Sequence, residues 1–167
     1  MIATIAVSPD GWLAWPGHRV RAALGRSGVT ANKREGDGAT PTGTFKLRGL
    51  LYRADRLDRP QTMLDVGVIS RSSGWSDDPR DPAYNRPVPL PHDFSHERLW
   101  RDDGLYDLIV PLGYNDAPVL PGVGSAIFLH VARPDYAPTE GCVALAVADL
   151  LALLAECGPA TEMTIGS

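Results

Sequence analysis

The sequence predicts a mainly β fold carrying a single helix. Short β-prone segments recur along most of the chain, clusters of Gly, Pro and Asp separate them, and one stretch near the C-terminus has helical apolar spacing. The 17 glycines and 15 prolines supply that punctuation.

The first strand candidate is Ile2 to Val7, apolar and closed by Pro9-Asp10-Gly11. Arg19 to Leu24 lies between Gly17 and Gly25, and Thr44 to Tyr52 starts behind Pro41 and Gly43. Met63 to Ser70 is bounded by Pro60 and Gly74, and Tyr106 to Leu112 by Gly104 and Gly113. Ala126 to Val131 ends at Arg133-Pro134, and Thr161 to Ile165 follows Gly158-Pro159. The helix is expected over Ala146 to Glu156, where Leu150, Leu151, Leu153 and Leu154 form an apolar face and Asp149 suits the positive end of the dipole. Between these elements, Ser72 to Asp107 reads as a long, polar, proline-punctuated loop. Repeats, coiled-coil heptads and low-complexity tracts are absent from the sequence.

With 167 residues, 44% of them hydrophobic, and four tryptophans, the chain can bury a proper core, and residues 1–167 are expected to form one domain. A formal charge of -4 and scattered arginines give no attraction to nucleic acid. Met1 to Trp15 lacks the basic start and long apolar core of a secretory signal, and no stretch approaches the ~20 apolar residues of a membrane span.

The chemistry concentrates at Cys142. This residue follows Gly141, opens an apolar run that reads as a helix, and lies twelve positions after His130. A thiol becomes a useful nucleophile when a base takes its proton, and a helix N-terminus would favour the thiolate further. His130, at the exit of a buried strand, is the candidate base. Gly141 would let the backbone approach a substrate, and the amides of Gly141 and Cys142 are candidate oxyanion donors. The same residues taken locally also fit an inert buried thiol and a satisfied strand-end histidine. Cys142 and Cys157 flank the expected helix; about 22 Å of axis between them precludes a disulfide. Cys157 is assigned no role.

The segment from His130 through Thr139, Gly141, Cys142 and Val143 resembles the signature of the L,D-transpeptidase catalytic domain (YkuD-like) family, in which a histidine and a spacer precede Ser/Thr-His-Gly-Cys and a hydrophobic residue. A second stretch, Thr40, Pro41, Gly43 and Phe45, is similar to the family's Thr-Pro-x-Gly-x-Phe segment. The resemblance runs from about residue 20 to the C-terminus and implies a mainly-β sandwich with the helix behind the cysteine. Three departures stand out. Glu140 replaces the family's second histidine, Ala144 stands where Asn or Arg is common, and the spacer between His130 and Thr139 is short. A carboxylate at position 140 is expected to oppose thiolate formation, with Arg133 as a compensating cation.

The resemblance implies a Cys142–His130 acyl transfer through a thioester on peptidoglycan tetrapeptide stems, leading to 3,3 cross-links, with no cofactor. It also implies a periplasmic or cell-wall location, and a monomer is expected. Water as acceptor would give an L,D-carboxypeptidase, and a lipoprotein lysine would give an amide ligase or hydrolase. A non-catalytic wall-binding module is the alternative of a different class. A papain-like peptidase would place its Cys before its His, the reverse of the order here. Arg133, Thr139 and Glu140 are expected along the substrate cleft, together with Trp75, Tyr84, Asn85 and Trp100 from the long loop. His92 and His96, with Asp93 and Glu97, imitate metal-ligand spacing without an HExxH pattern, and no metal is expected.

Overall fold

The computed structural model describes residues 1–166. Two five-stranded sheets enclose the main core. The first has the order β3 (His18–Arg21), β2 (Trp12–Trp15), β1 (Thr4–Ser8), β15 (Glu162–Ile165) and β6 (Gly43–Lys46). β1 and β15 are parallel, Ile5 opposite Met163, so the two ends of the chain close the middle of this sheet. Alternation places Ile5, Val7, Leu13, Trp15, Met163 and Ile165 inward.

The second sheet has the order β14 (Val143–Leu145), β13 (Phe128–Val131), β12 (Leu108–Pro111), β7 (Leu50–Tyr52) and β8 (Val66–Val68). Leu108, Val110, Leu129, Val143 and Leu145 face the first sheet in the same core. Leu150, Leu153 and Leu154 of α1 (Val147–Leu154) join them, fully buried. Each such leucine contributes about 1.5–3 kcal/mol of burial. The fold is therefore the mainly-β sandwich with one helix that the sequence predicts.

Thr44 to Tyr52 is two strands in different sheets. β6 pairs with β15 and β7 with β12, and the chain passes between layers through Leu47 and Gly49, whose φ of 120° is open to glycine. β2 has no counterpart among the expected strands. Arg19 to Leu24 keeps regular pairing only to Arg21, beyond which Ala23 bridges Ala144 and Gly25 bridges Thr139. Met63 to Ser70 contracts to β8.

The expected loop from Ser72 to Asp107 contains a three-stranded antiparallel sheet with the order β10 (Pro87–Pro89), β9 (Ser73–Ser76) and β11 (His96–Arg98). Pro87 and Pro89 lie on its edge strand, where a missing N–H is tolerated. This lobe, with Ile69, Leu99 and Tyr106, covers the outer face of the second sheet around Ile109 and Phe128. The second sheet is thus buried on both faces. A two-stranded parallel pair, β4 (Val29–Thr30) and β5 (Thr40–Pro41), completes the strands among the described residues. Among the described residues, no helix is long and apolar enough to cross a membrane.

Candidate active site

Strand alternation builds the site. In β13, Leu129 and Val131 pack toward the main core, so Phe128 and His130 point to the other face. β14 runs parallel to β13 with Leu129 opposite Val143 and His130 opposite Ala144, which sets Cys142 one rung earlier, beside Phe128. The Phe128 amide donates to Cys142 Sγ at 3.4 Å, and the thiol donates to the Ala126 carbonyl at 3.3 Å. His130 Nδ1 lies 2.9 Å from the carbonyl of Val131. An N–H at Nδ1 donates to that oxygen and leaves the Nε2 lone pair free. The Tyr106 ring meets the imidazole edge-on at 5.3 Å. His130 and Cys142 line one cavity of about 370 Å³.

Cys142 does not sit at a helix N-terminus. β14 and Ala146 intervene before α1, so the helix dipole gives the thiol no help. Burial pushes the thiol up to about 12; the Glu97 carboxylate adds to this, while the Phe128 amide and Lys33 oppose it. Burial likewise lowers His130 to about 4, against the pull of the Val131 carbonyl. Both shifts favour the uncharged forms, a thiol and a neutral imidazole.

The family model for the L,D-transpeptidase catalytic domain (YkuD) matches residues 6–165. The chain belongs to the L,D-transpeptidase catalytic domain family. A solved structure, an L,D-transpeptidase from Mycobacterium smegmatis, is similar over 98% of this chain and 58% of that one, with 11% identity and a TM-score of 0.44. This chain therefore spans a little over half the length of that protein. Among curated proteins, none matches the chain.

Within this L,D-transpeptidase domain, Glu140 stands away from the thiol. Its side chain is 81% exposed on the cavity rim and pairs with Arg26 at 3.0 Å. The expected opposition to the thiolate comes instead from Glu97 on β11. Burial raises the Glu97 carboxyl to about 7, the Tyr106 hydroxyl bonded at 3.0 Å pulls it down, and nearby Asp77 pushes it up. Arg133 also lines the rim, half exposed and 4.0 Å from Asp103, so it does not compensate Glu140. Lys33, 4% exposed in its side chain and paired with Asp37, lines the cavity as well. Glu97 appears in the sequence only as part of a metal-like spacing, and nothing in the sequence singles out Lys33.

Thr139 shapes the turn before the cysteine. Its hydroxyl donates to the Cys142 carbonyl at 2.7 Å and accepts from the Gly141 amide at 3.1 Å. Gly141 has a φ of 140°, and a Cβ there would lie 2.8 Å from the Ala39 carbonyl oxygen. Glycine is required on both counts. The Gly141 amide, expected as an oxyanion donor, is already engaged by Thr139. The Cys142 amide has no protein acceptor among the described residues.

Trp75, Tyr84 and Asn85 do not line the cavity; they brace the segment that carries Ala126. Asn85 Oδ1 accepts from the Ala126 amide and from Trp75 Nε1, both at 3.0 Å. Its amide nitrogen donates to the carbonyls of Tyr114 and Asn115. The Trp75 ring packs edge-on against Phe128, and the Tyr84 hydroxyl donates to Glu35 at 2.6 Å while accepting from the Gly124 amide. Trp100 lies outside this cavity under the Arg53 guanidinium, 3.5 Å from its ring centroid. His92 bonds Asp81 and His96 bonds the Phe94 carbonyl, so neither is held as a ligand set.

Proposed function

We propose that the protein is a peptidoglycan L,D-transpeptidase in which residues 1–167 form a single catalytic domain, Cys142 is the nucleophile and His130 the general base. One observation supports this reading: His130 on β13 and Cys142, one residue before the neighbouring β14, line the same cavity, and His130 Nδ1 lies 2.9 Å from the Val131 carbonyl.

The donor is a tetrapeptide stem, attacked at the carbonyl of the L-centre of its diamino acid. Because the thiol is neutral at rest, the S–H proton moves to His130 Nε2 as the S–C bond forms. The tetrahedral oxyanion collapses, the C–N bond breaks, and the imidazolium returns its proton to the departing D-alanine amine. The thioester remains on Cys142. His130 then deprotonates an acceptor amine, whose attack gives a 3,3 cross-link and releases the thiol. Water entering in place of the amine gives the carboxypeptidase outcome. The reading places the protein where peptidoglycan lies, in the periplasm or cell wall, acting as a monomer and without a cofactor.

The test joins intact mass with product analysis. Carbapenems, which acylate members of this family, should add to the wild type and not to Cys142→Ser, which should fold normally. Incubation with disaccharide-tetrapeptide and an acceptor stem should yield a cross-linked dimer. Equal adducts on both proteins, or none on the wild type, would reject the nucleophile; tripeptide as sole product would make the protein a carboxypeptidase.

A further inference from the structure

The tetrahedral intermediate of the proposed reaction places a full negative charge on the former carbonyl oxygen, and that oxygen needs donors fixed in advance. The turn before Cys142 is short of one. The Gly141 amide already donates to Thr139 Oγ1 at 3.1 Å. Among backbone groups of the Gly141-Cys142 pair, this leaves the Cys142 amide alone.

A buried cation stands beside this gap. Lys33 is 4% exposed in its side chain and lines the same cavity as Cys142, His130 and Gly141. Its Nζ is 3.5 Å from the point that a Cβ on Gly141 would occupy, so the ammonium faces the backbone next to the nucleophile. An ammonium has three N–H groups. One is directed to the Asp37 carboxylate and one to the Arg34 carbonyl at 3.0 Å, which leaves a third without a protein acceptor among the described residues.

The surrounding loop keeps that ammonium in place. The Asp37 carboxylate accepts from the amides of Arg34 at 2.8 Å and Ala39 at 2.9 Å as well as from Lys33. Burial alone would raise the Asp37 carboxyl, but these bonds hold it below its usual value, so it remains an anion beneath the ammonium. The loop is also tied to the nucleophile turn, since Gly141 packs against the Ala39 carbonyl and Thr40 Oγ1 reaches toward the Cys142 carbonyl.

We propose that Lys33 completes the oxyanion site, its unmatched N–H meeting the negative oxygen together with the Cys142 amide. This assignment rests on the acyl-transfer reading above. The lysine keeps its proton throughout: the oxygen gains its charge from the C=O π electrons as the S–C bond forms and returns it when the C–N bond breaks.

Two reactions of the same thiol separate this role from a general effect on Cys142. Acylation by a carbapenem or a tetrapeptide donor passes through an oxyanion; alkylation by iodoacetamide displaces iodide at saturated carbon and forms none. Lys33→Met should slow acylation by about 10²–10³-fold, the loss seen when one such donor is removed elsewhere. It should fall mainly in kcat, while alkylation changes far less. Lys33→Arg should recover part of the acylation rate. Lys33→Met with Asp37→Asn removes the carboxylate stranded by the first substitution and guards against a folding defect. Equal losses in the two reactions, or unimpaired acylation in both Met variants, would overturn the assignment while leaving Cys142 as nucleophile. Wild-type protein that forms no acyl-enzyme with either donor would remove the acyl-transfer reading, and the role of Lys33 with it.

Discussion

Raising the pH of the free protein should make Cys142 react faster without a plateau anywhere near neutrality. The thiol is pushed up to about 12 and the imidazole down to about 4. Moving the proton from sulfur to His130 is therefore uphill by about 11 kcal/mol, at 1.36 kcal/mol per pH unit. Attraction between the resulting charges recovers only part of this. Both shifts favour the neutral pair. At pH 8 the thiolate fraction is about 10⁻⁴, against roughly a quarter for an ordinary cysteine near 8.5. Iodoacetamide labelling, followed by peptide mapping to separate Cys142 from Cys157, reads this directly. The rate at Cys142 should lie about a thousandfold or more below that of a free thiol at pH 8 and rise about tenfold per pH unit between 7 and 10. A rate already level below pH 7 is the signature of a thiolate–imidazolium pair and would refute the reasoning.

Glu97→Gln should shift that labelling curve to lower pH, whereas Glu140→Gln should leave it unchanged, because Glu97 raises the thiol and Glu140 is paired with Arg26 at the surface. The same Glu97→Gln variant should gain stability with rising pH. Glu97 is raised from 4.5 to about 7 in the fold, so its contribution is fully present below 4.5 and lost as pH rises through 7; the difference is about 3 kcal/mol. Urea melts at pH 4.5 and pH 8 check it, and an advantage over wild type that does not grow with pH would contradict it. Asn85→Ala should cost about 2–4 kcal/mol in chemical denaturation, because four hydrogen bonds are lost and a residue at φ 55° loses a side chain suited to that region.

His130 and Cys142 were legible as candidates from local pattern together with the family resemblance, but the strand that places the cysteine was not. A buried strand ending at a histidine and a Gly-Cys turn are visible in the residues, and the parallel ladder only brings them together. The stretch after Cys142 was harder, since the Val143-Ala144-Leu145 run joins the leucines of α1 and periodicity cannot divide a buried strand from a helix over so few residues. The lobe from 73 to 98 was hidden for another reason: its strands have three or four residues, and Pro87 and Pro89 read as breakers until the strand is known to be an edge. Glu97 carries no local signal at all. Its influence on Cys142 arises only when β11 folds over the second sheet, through contacts far apart in the chain. Asn85, chosen as a cleft residue for its place in a long loop, proves to be a brace for Ala126.

The spacer between His130 and Thr139 is moored at both ends. The Ala132 amide bonds the Leu145 carbonyl, and Thr139 exchanges bonds with the chain at Leu24 and Arg26. The residues between these moorings, including Arg133, Ala137 and Pro138 on the cavity rim, can thus change in number or kind without shifting the two strands that hold the imidazole and the thiol. Such a segment is an interchangeable cassette. If the proposed acyl transfer holds, loops of other lengths grafted from Arg133 to Pro138 should alter which acceptor reaches the thioester while the first half-reaction proceeds at its original rate.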